Sequence, residues 1–166
     1  MHNAARELHV DTSPLSFKQS LADDALAWSQ YMADNALFEH SSSTSTPRRV
    51  GQGENIHVHI GNHPFYSSVA RAWYAEILDW DYDNAVSSWN GEEEVDNFTQ
   101  MVWTDTSEVG CGEATGSCPA TWGISETTNC FYTTCRYEAP GNVFYSGDYQ
   151  QTLDDHVKPQ IPPATE

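Results

Sequence analysis

Four cysteines, Cys111, Cys118, Cys130 and Cys135, fall inside a window of 25 residues, separated by six, eleven and four residues. Those gaps lack the paired Cys-x-x-Cys of a zinc ribbon. An even, clustered set reads instead as two disulfides, and disulfides imply an oxidising compartment. The N-terminus, Met1 to Arg6, has no apolar signal-peptide core. Either the chain stays inside the cell or it is a mature domain with an added start Met, and the cysteines favour secretion. A length of 166 residues suits one globular domain, and 20 aromatic residues exclude a disordered chain. Seven Lys and Arg against 24 Asp and Glu give a formal charge of −17. Such a surface repels phosphate backbones and anionic headgroups, so nucleic acid and polybasic membrane docking are excluded as partners. No stretch approaches the roughly 18 consecutive apolar residues of a transmembrane helix.

Along the chain, an amphipathic helix is expected from about Leu15 to Leu37, with Leu21, Ala25, Trp28 and Met32 on one stripe. Ser41 to Pro47 reads as a loop, and Gly51 to Ile56 as a turn. A second helix is expected from Pro64 to Asp79, carrying Val69, Trp73 and Ile77 on one stripe and Ala72 and Glu76 on another. Asp79 to Asp96 is polar but holds Trp80, Tyr82 and Trp89, a long loop partly anchored by aromatics. Phe98 to Trp103 begins a short helix. Val109 to Ala114 and Cys130 to Tyr137 are rich in β-formers and read as strands. Residues 1–150 are expected to form one domain and 151–166 a Pro-containing tail, with three prolines between Lys158 and Glu166.

Several of these stretches resemble the CAP superfamily, the cysteine-rich secretory proteins, insect venom antigens (antigen 5) and plant pathogenesis-related proteins that share the SCP domain. Asn97-Phe98-Thr99-Gln100-Met101-Val102-Trp103 with Gly110-Cys111 is similar to the family's first signature, His-Phe-Thr-Gln-x-x-Trp followed by Gly-Cys. Cys135-Arg136-Tyr137 through Pro140-Gly141-Asn142 is close to the second, Cys-x-Tyr-x-Pro-x-Gly-Asn. Gly53-Glu54-Asn55-Ile56, the Trp73-Tyr74-x-Glu76 segment and the opening His2-Asn3-x-x-Arg6 are family-like as well. The resemblance implies an α+β fold, a three-layer α-β-α sandwich with a small antiparallel sheet between helices, and a secreted protein. On the family's pairing Cys111 would bond Cys135. Relatives bond the next cysteine to one placed where this chain has Ala36, which leaves Cys118 with Cys130; sequential pairing is the competing arrangement.

The family gathers two His and two Glu in a central groove. By position these fall on His40, Glu54 and Glu76, with Asn97 where the second His should stand. An amide oxygen is a poor zinc ligand beside imidazole, so His40, Glu54 and Glu76 make at most a weak divalent-metal site and no cofactor is expected. Buried hydrogen-bonded pairing of Glu54 and Glu76 is an equal reading. His57, His59 and His63 could compensate, and the first two share a face if the segment is extended, but they read better as loop or edge-strand histidines. Asn97-Phe98-Thr99 is a glycosylation sequon, expected to be unused because the family turns this residue inward. The acidic run from Asp79 to Asp83 fails as a calcium loop, since Asn84 and Asn90 stand where Gly and Glu are required.

No nucleophile triad or phosphate loop is present. The leading expectation is a secreted, non-enzymatic binding protein carrying a sterol or fatty acid. Some relatives bind sterol under a loop with aromatics spaced Φ-x-Φ-x-x-x-x-Φ; here Trp80 and Tyr82 fit and Trp89 lies two positions late. An acyl chain between two helices is the other lipid arrangement. The alternatives are a metal-assisted hydrolase or protease using His40, Glu54 and Glu76, and a defence or effector protein that contacts a host or cell-surface protein. A monomer or weak dimer is expected.

Overall fold

The computed structural model describes residues 1–42, 51–62, 66–125, 127–144 and 148–162. The expected loop from Ser41 to Pro47 therefore lies mostly outside the described residues, as does His63.

A four-stranded sheet forms the middle layer. Its strands are β1 (Ser16–Phe17), β2 (Gly53–Ile60), β3 (Glu108–Ser117) and β4 (Asn129–Glu138), in the order β1-β3-β4-β2. β4 runs antiparallel to both β2 and β3, while β1 pairs in parallel with β3. Because side chains alternate along a strand, the sheet has two distinct faces.

The even-numbered face packs on α2 (Gln19–Asn35). The helix approaches closely because β3 offers glycines there: a Cβ on Gly112 would land on the backbone of Leu26, and one on Gly116 on that of Ala33. Leu21, Ala25, Trp28 and Met32 are all buried to 1% exposure or less, as their spacing requires. The odd-numbered face packs on α1 (His2–Arg6), α3 (Tyr66–Ala75) and α5 (Asp96–Val102), burying Trp73, Phe98, Met101, Val102 and Tyr137. Helices above and below a mainly antiparallel sheet make the three-layer α-β-α sandwich. Cys111 is bonded to Cys135 across the β3–β4 pair, and Cys118 to Cys130 toward its end, the nested arrangement.

Local departures from the sequence expectation have identifiable causes. The helix expected from Leu15, α2, starts at Gln19, because Ser16 and Phe17 pair with Glu108 and Val109. Gly53 to Ile56, expected as part of a turn, opens strand β2. The second expected helix ends at Ala75 and tightens into a 3₁₀ turn, Glu76–Asp79, while the aromatic loop contains a 3₁₀ turn, Tyr82–Asn84, and a short helix α4 (Ala85–Trp89). At the C-terminus, α6 (Tyr149–His156) runs across residue 150, and Leu153 and Val157 are buried. Beyond it the chain docks on the N-terminal segment: Val10 N–H donates to the Pro159 carbonyl at 3.1 Å and Ile161 N–H to that of Leu8 at 2.7 Å.

Candidate functional site

Glu54 is the second residue of β2 and stands in register with Arg136 of β4. Its carboxylate has no solvent exposure, and both oxygens are engaged. Oε1 accepts from His40 Nδ1 at 2.7 Å and Ser41 N–H at 3.0 Å; Oε2 accepts from the Ser41 hydroxyl at 2.7 Å and pairs with Arg136 Nη2 at 3.1 Å. Burial pushes the Glu54 carboxyl up, but the His40 hydrogen bond, the Arg136 guanidinium and Ser41 outweigh it and hold the group below its ordinary range. The His40 ring is 49% exposed, so one imidazole edge is tied to a buried carboxylate and the other faces a cavity.

Glu76 begins the 3₁₀ turn that follows α3. It accepts from Asn97 Nδ2 at 2.8 Å and from Phe98 N–H at 2.9 Å, at the start of α5. Here burial wins over those hydrogen bonds, with Asp96 and Glu94 adding repulsion, and the carboxyl is raised to about 7. His40 and Asn97 line one polar cavity of about 200 Å³ together with Glu94 and Asp96, and the Glu54 and Glu76 carboxylates buttress them. The groove thus consists of two pairs, His40–Glu54 and Asn97–Glu76.

Of the three loop aromatics, Trp80 is buried and Tyr82 and Trp89 are half-buried. Trp80 is 7% exposed and packs edge-on against Phe98 at 6.0 Å. Tyr82 meets Trp80 at 6.3 Å, and burial raises its phenol pKa. Trp89 packs on Phe144 at 5.1 Å and lines a polar cavity beside His40. These rings anchor the loop to the core, because Val95, Phe98 and Trp103 offer them a continuous apolar surface.

A larger and chemically different cavity, about 580 Å³, lies between α1, α3 and the odd face of the sheet. Val69, Ala70 and Trp73 of α3 form one wall and Val109, Cys111 and Cys135 the other. Phe17, 68% exposed, stands at its edge. Met1 also lines it, and its polar side chains include Thr133 and His2, whose Nε2 is 2.8 Å from the Tyr137 hydroxyl and whose ring is kept uncharged by burial, with the N-terminal ammonium adding to the effect, at a pKa of about 4. Arg6 fixes the α1 wall. Its fully buried guanidinium donates to the carbonyls of Met101, Trp103 and Thr106 at 3.0, 2.9 and 3.1 Å. The cavity draws on α1, β1, α3, β3 and β4; the Val69–Trp73 stripe was its one local signal.

Comparison with known proteins agrees with this geometry. The sequence profile of the cysteine-rich secretory protein family, CAP, matches residues 1–137. The chain belongs to the CAP family. It is 35% identical over 142 residues to Protein PRY2 of Saccharomyces cerevisiae, covering 86% of this chain and 36% of that protein. It is 27% identical over 153 residues to human Golgi-associated plant pathogenesis-related protein 1, covering 92% and 86%. Human cysteine-rich secretory protein 2 is matched over 54% of its length, so the chain spans about a third to a half of several curated relatives. In fold it is similar to Schistosoma mansoni venom allergen-like protein 4, with TM-score 0.58, 18% identity and 90% of each chain covered. It is also similar to NaASP2 crystallised with Zn²⁺, with TM-score 0.59, 21% identity and 86% and 77% covered.

The groove of this CAP domain does not fit a zinc ion. Both Glu54 oxygens are already bonded, and Asn97 directs its amide N–H groups at Glu76 instead of offering a second imidazole. Among the described residues, no three His, Cys, Asp or Glu side chains come together in a metal-binding group, so His40, Glu54 and Glu76 are not assembled as a ligand set.

Proposed function

We propose that this CAP domain is a secreted, non-catalytic carrier of a long apolar ligand, a fatty acid or sterol, held in the cavity between α1, α3 and the sheet. The observation that carries this reading is the character of that cavity. Its volume of about 580 Å³ falls in the range of small-molecule sites, and it is walled almost wholly by apolar side chains. Buried apolar ligand surface gains about 25 cal/mol per Å². No Lys, Arg, Asp or Glu lines the wall, so a carboxylate or hydroxyl head would stay near the mouth by Phe17. The two disulfides and the family support the secreted reading; among the described residues no helix is long and apolar enough to cross a membrane.

The ligand is assigned to this cavity and not to the loop. Trp80 is part of the core, and Trp89 lines a polar groove. Titration of labelled palmitate and cholesterol tests the assignment. Saturable binding should be blocked by Ala70→Phe, which fills the α3 wall, and should persist in a Trp89→Ala variant. Binding lost in Trp89→Ala but kept in Ala70→Phe would return the site to the loop.

A further inference from the structure

Among the described residues β2 is an edge strand, paired with β4. His57 and His59 lie two residues apart on it, so both project to the odd-numbered face, opposite in register to Thr133 and Phe131. Both are partly exposed. Their Cα atoms are about 7 Å apart along a strand, a separation from which two imidazoles can converge on one ion at about 2.0–2.1 Å each. The rings influence each other: His57 is held below the ordinary imidazole range by burial and by His59. The Glu113 carboxylate stands in the same cross-strand row, accepting from the Thr133 hydroxyl at 3.1 Å, and adds negative charge to this face. Glu54 and Arg136 occupy even positions and pair on the opposite face, so the histidine pair is separate from the groove.

We infer that His57-Val58-His59 is a two-imidazole site for a divalent transition metal on the outer edge of the sheet. Imidazole donors select copper, nickel or zinc over calcium and magnesium, with Cu²⁺ bound most tightly by the Irving–Williams order. No third His, Cys, Asp or Glu completes the group among the described residues, so solvent fills the other positions and the ion exchanges readily. Nothing in this inference depends on the lipid reading.

The indole of Trp73 lies 6.5 Å from the His57 ring, edge-on, and reports an ion bound there. Cu²⁺ is titrated into tag-free protein in a non-coordinating buffer, followed by tryptophan fluorescence and calorimetry, with Zn²⁺ in parallel. The expected result is one equivalent of Cu²⁺ bound with quenching and a weaker Zn²⁺ isotherm. His57→Gln or His59→Gln alone should each weaken Cu²⁺ by about tenfold or more, while His40→Gln leaves it unchanged. Circular dichroism confirms that each variant is folded. A wild-type protein with no one-to-one site, or one whose site survives the His57→Gln, His59→Gln double variant or disappears in His40→Gln, would overturn the inference.

Discussion

The polar groove and the apolar cavity lie in the same small domain, yet they are built on opposite rules. In the groove, the oxygens of Glu54 and Glu76 already have protein partners, so its charged groups are spent on holding β2, β4, α3 and α5 together. In the cavity, apolar walls from α1, α3 and the sheet border an open cleft of about 580 Å³. Apolar walls that face water gain about 25 cal/mol per Å² when an apolar ligand covers them. The contrast sets a polar tetrad that fastens the fold against the apolar cavity proposed to bind. In a fastening a lost partner costs stability; in a site it costs affinity.

The largest effect should follow from breaking the fastening. Arg136→Met leaves Glu54 buried without its cation, which should cost about 3–5 kcal/mol in denaturant unfolding. A loss under about 1 kcal/mol would mean that Glu54 is not held as described. Next is the Cys111→Ser, Cys135→Ser variant, which removes a bridge worth about 2–4 kcal/mol. Both cysteines line the cavity, so palmitate affinity should fall along with stability; the Cys118→Ser, Cys130→Ser variant should lose stability alone.

Within the groove, the two carboxylates should respond to pH with opposite signs. Glu76 ionises at about 7 in the fold against an ordinary 4.5, so its contribution is greatest below about pH 4.5 and is lost as pH rises through about 7. Glu54 is shifted down; its contribution is present above its ordinary range and is lost as pH falls through the lower folded value. The melting-temperature difference between wild type and Glu76→Gln should therefore favour wild type more at pH 5 than at pH 8. The reverse order would show that Glu76 is not stabilised as the neutral acid. The smallest effect concerns the sequon: Asn97 Nδ2 donates to Glu76 and the Thr99 hydroxyl bonds Asn142 at 2.8 Å. Intact-mass measurement on protein secreted from a eukaryotic host should find Asn97 unglycosylated.

The layers of the fold were legible where a periodic pattern coincided with burial. The α2 stripe is one case, and β4, buried almost throughout as the inner strand, is another. Short or singly anchored pieces were not. β1 is two residues long and visible only through its pairing with β3. α6 hides behind prolines and is held by Leu153 and Val157. Gly53 reads as a turn residue, yet it opens a strand by pairing with Tyr137, and glycine is needed there because a Cβ would collide with the Gln100 amide. For the site, His40, Glu54, Glu76 and Asn97 were found by position. Their division into two closed pairs depends on Arg136, Ser41 and the Phe98 N–H, partners that no local pattern announces. Trp80, Tyr82 and Trp89 were legible as loop aromatics, but the Phe98 and Phe144 rings they pack against were not, because sequence records their type and not their neighbours. The cavity was the least legible, since its walls come from segments more than 100 residues apart.

The most direct test is a palmitate titration against wild type and two single variants, one on each side of the contrast. Ala70→Phe fills the apolar cavity, and His40→Ala opens the polar groove. The account predicts saturable binding to wild type, unchanged affinity in His40→Ala and a loss of about tenfold or more in Ala70→Phe, equivalent to about 1.4 kcal/mol. Affinity lost in His40→Ala and retained in Ala70→Phe, with both variants folded, would contradict it.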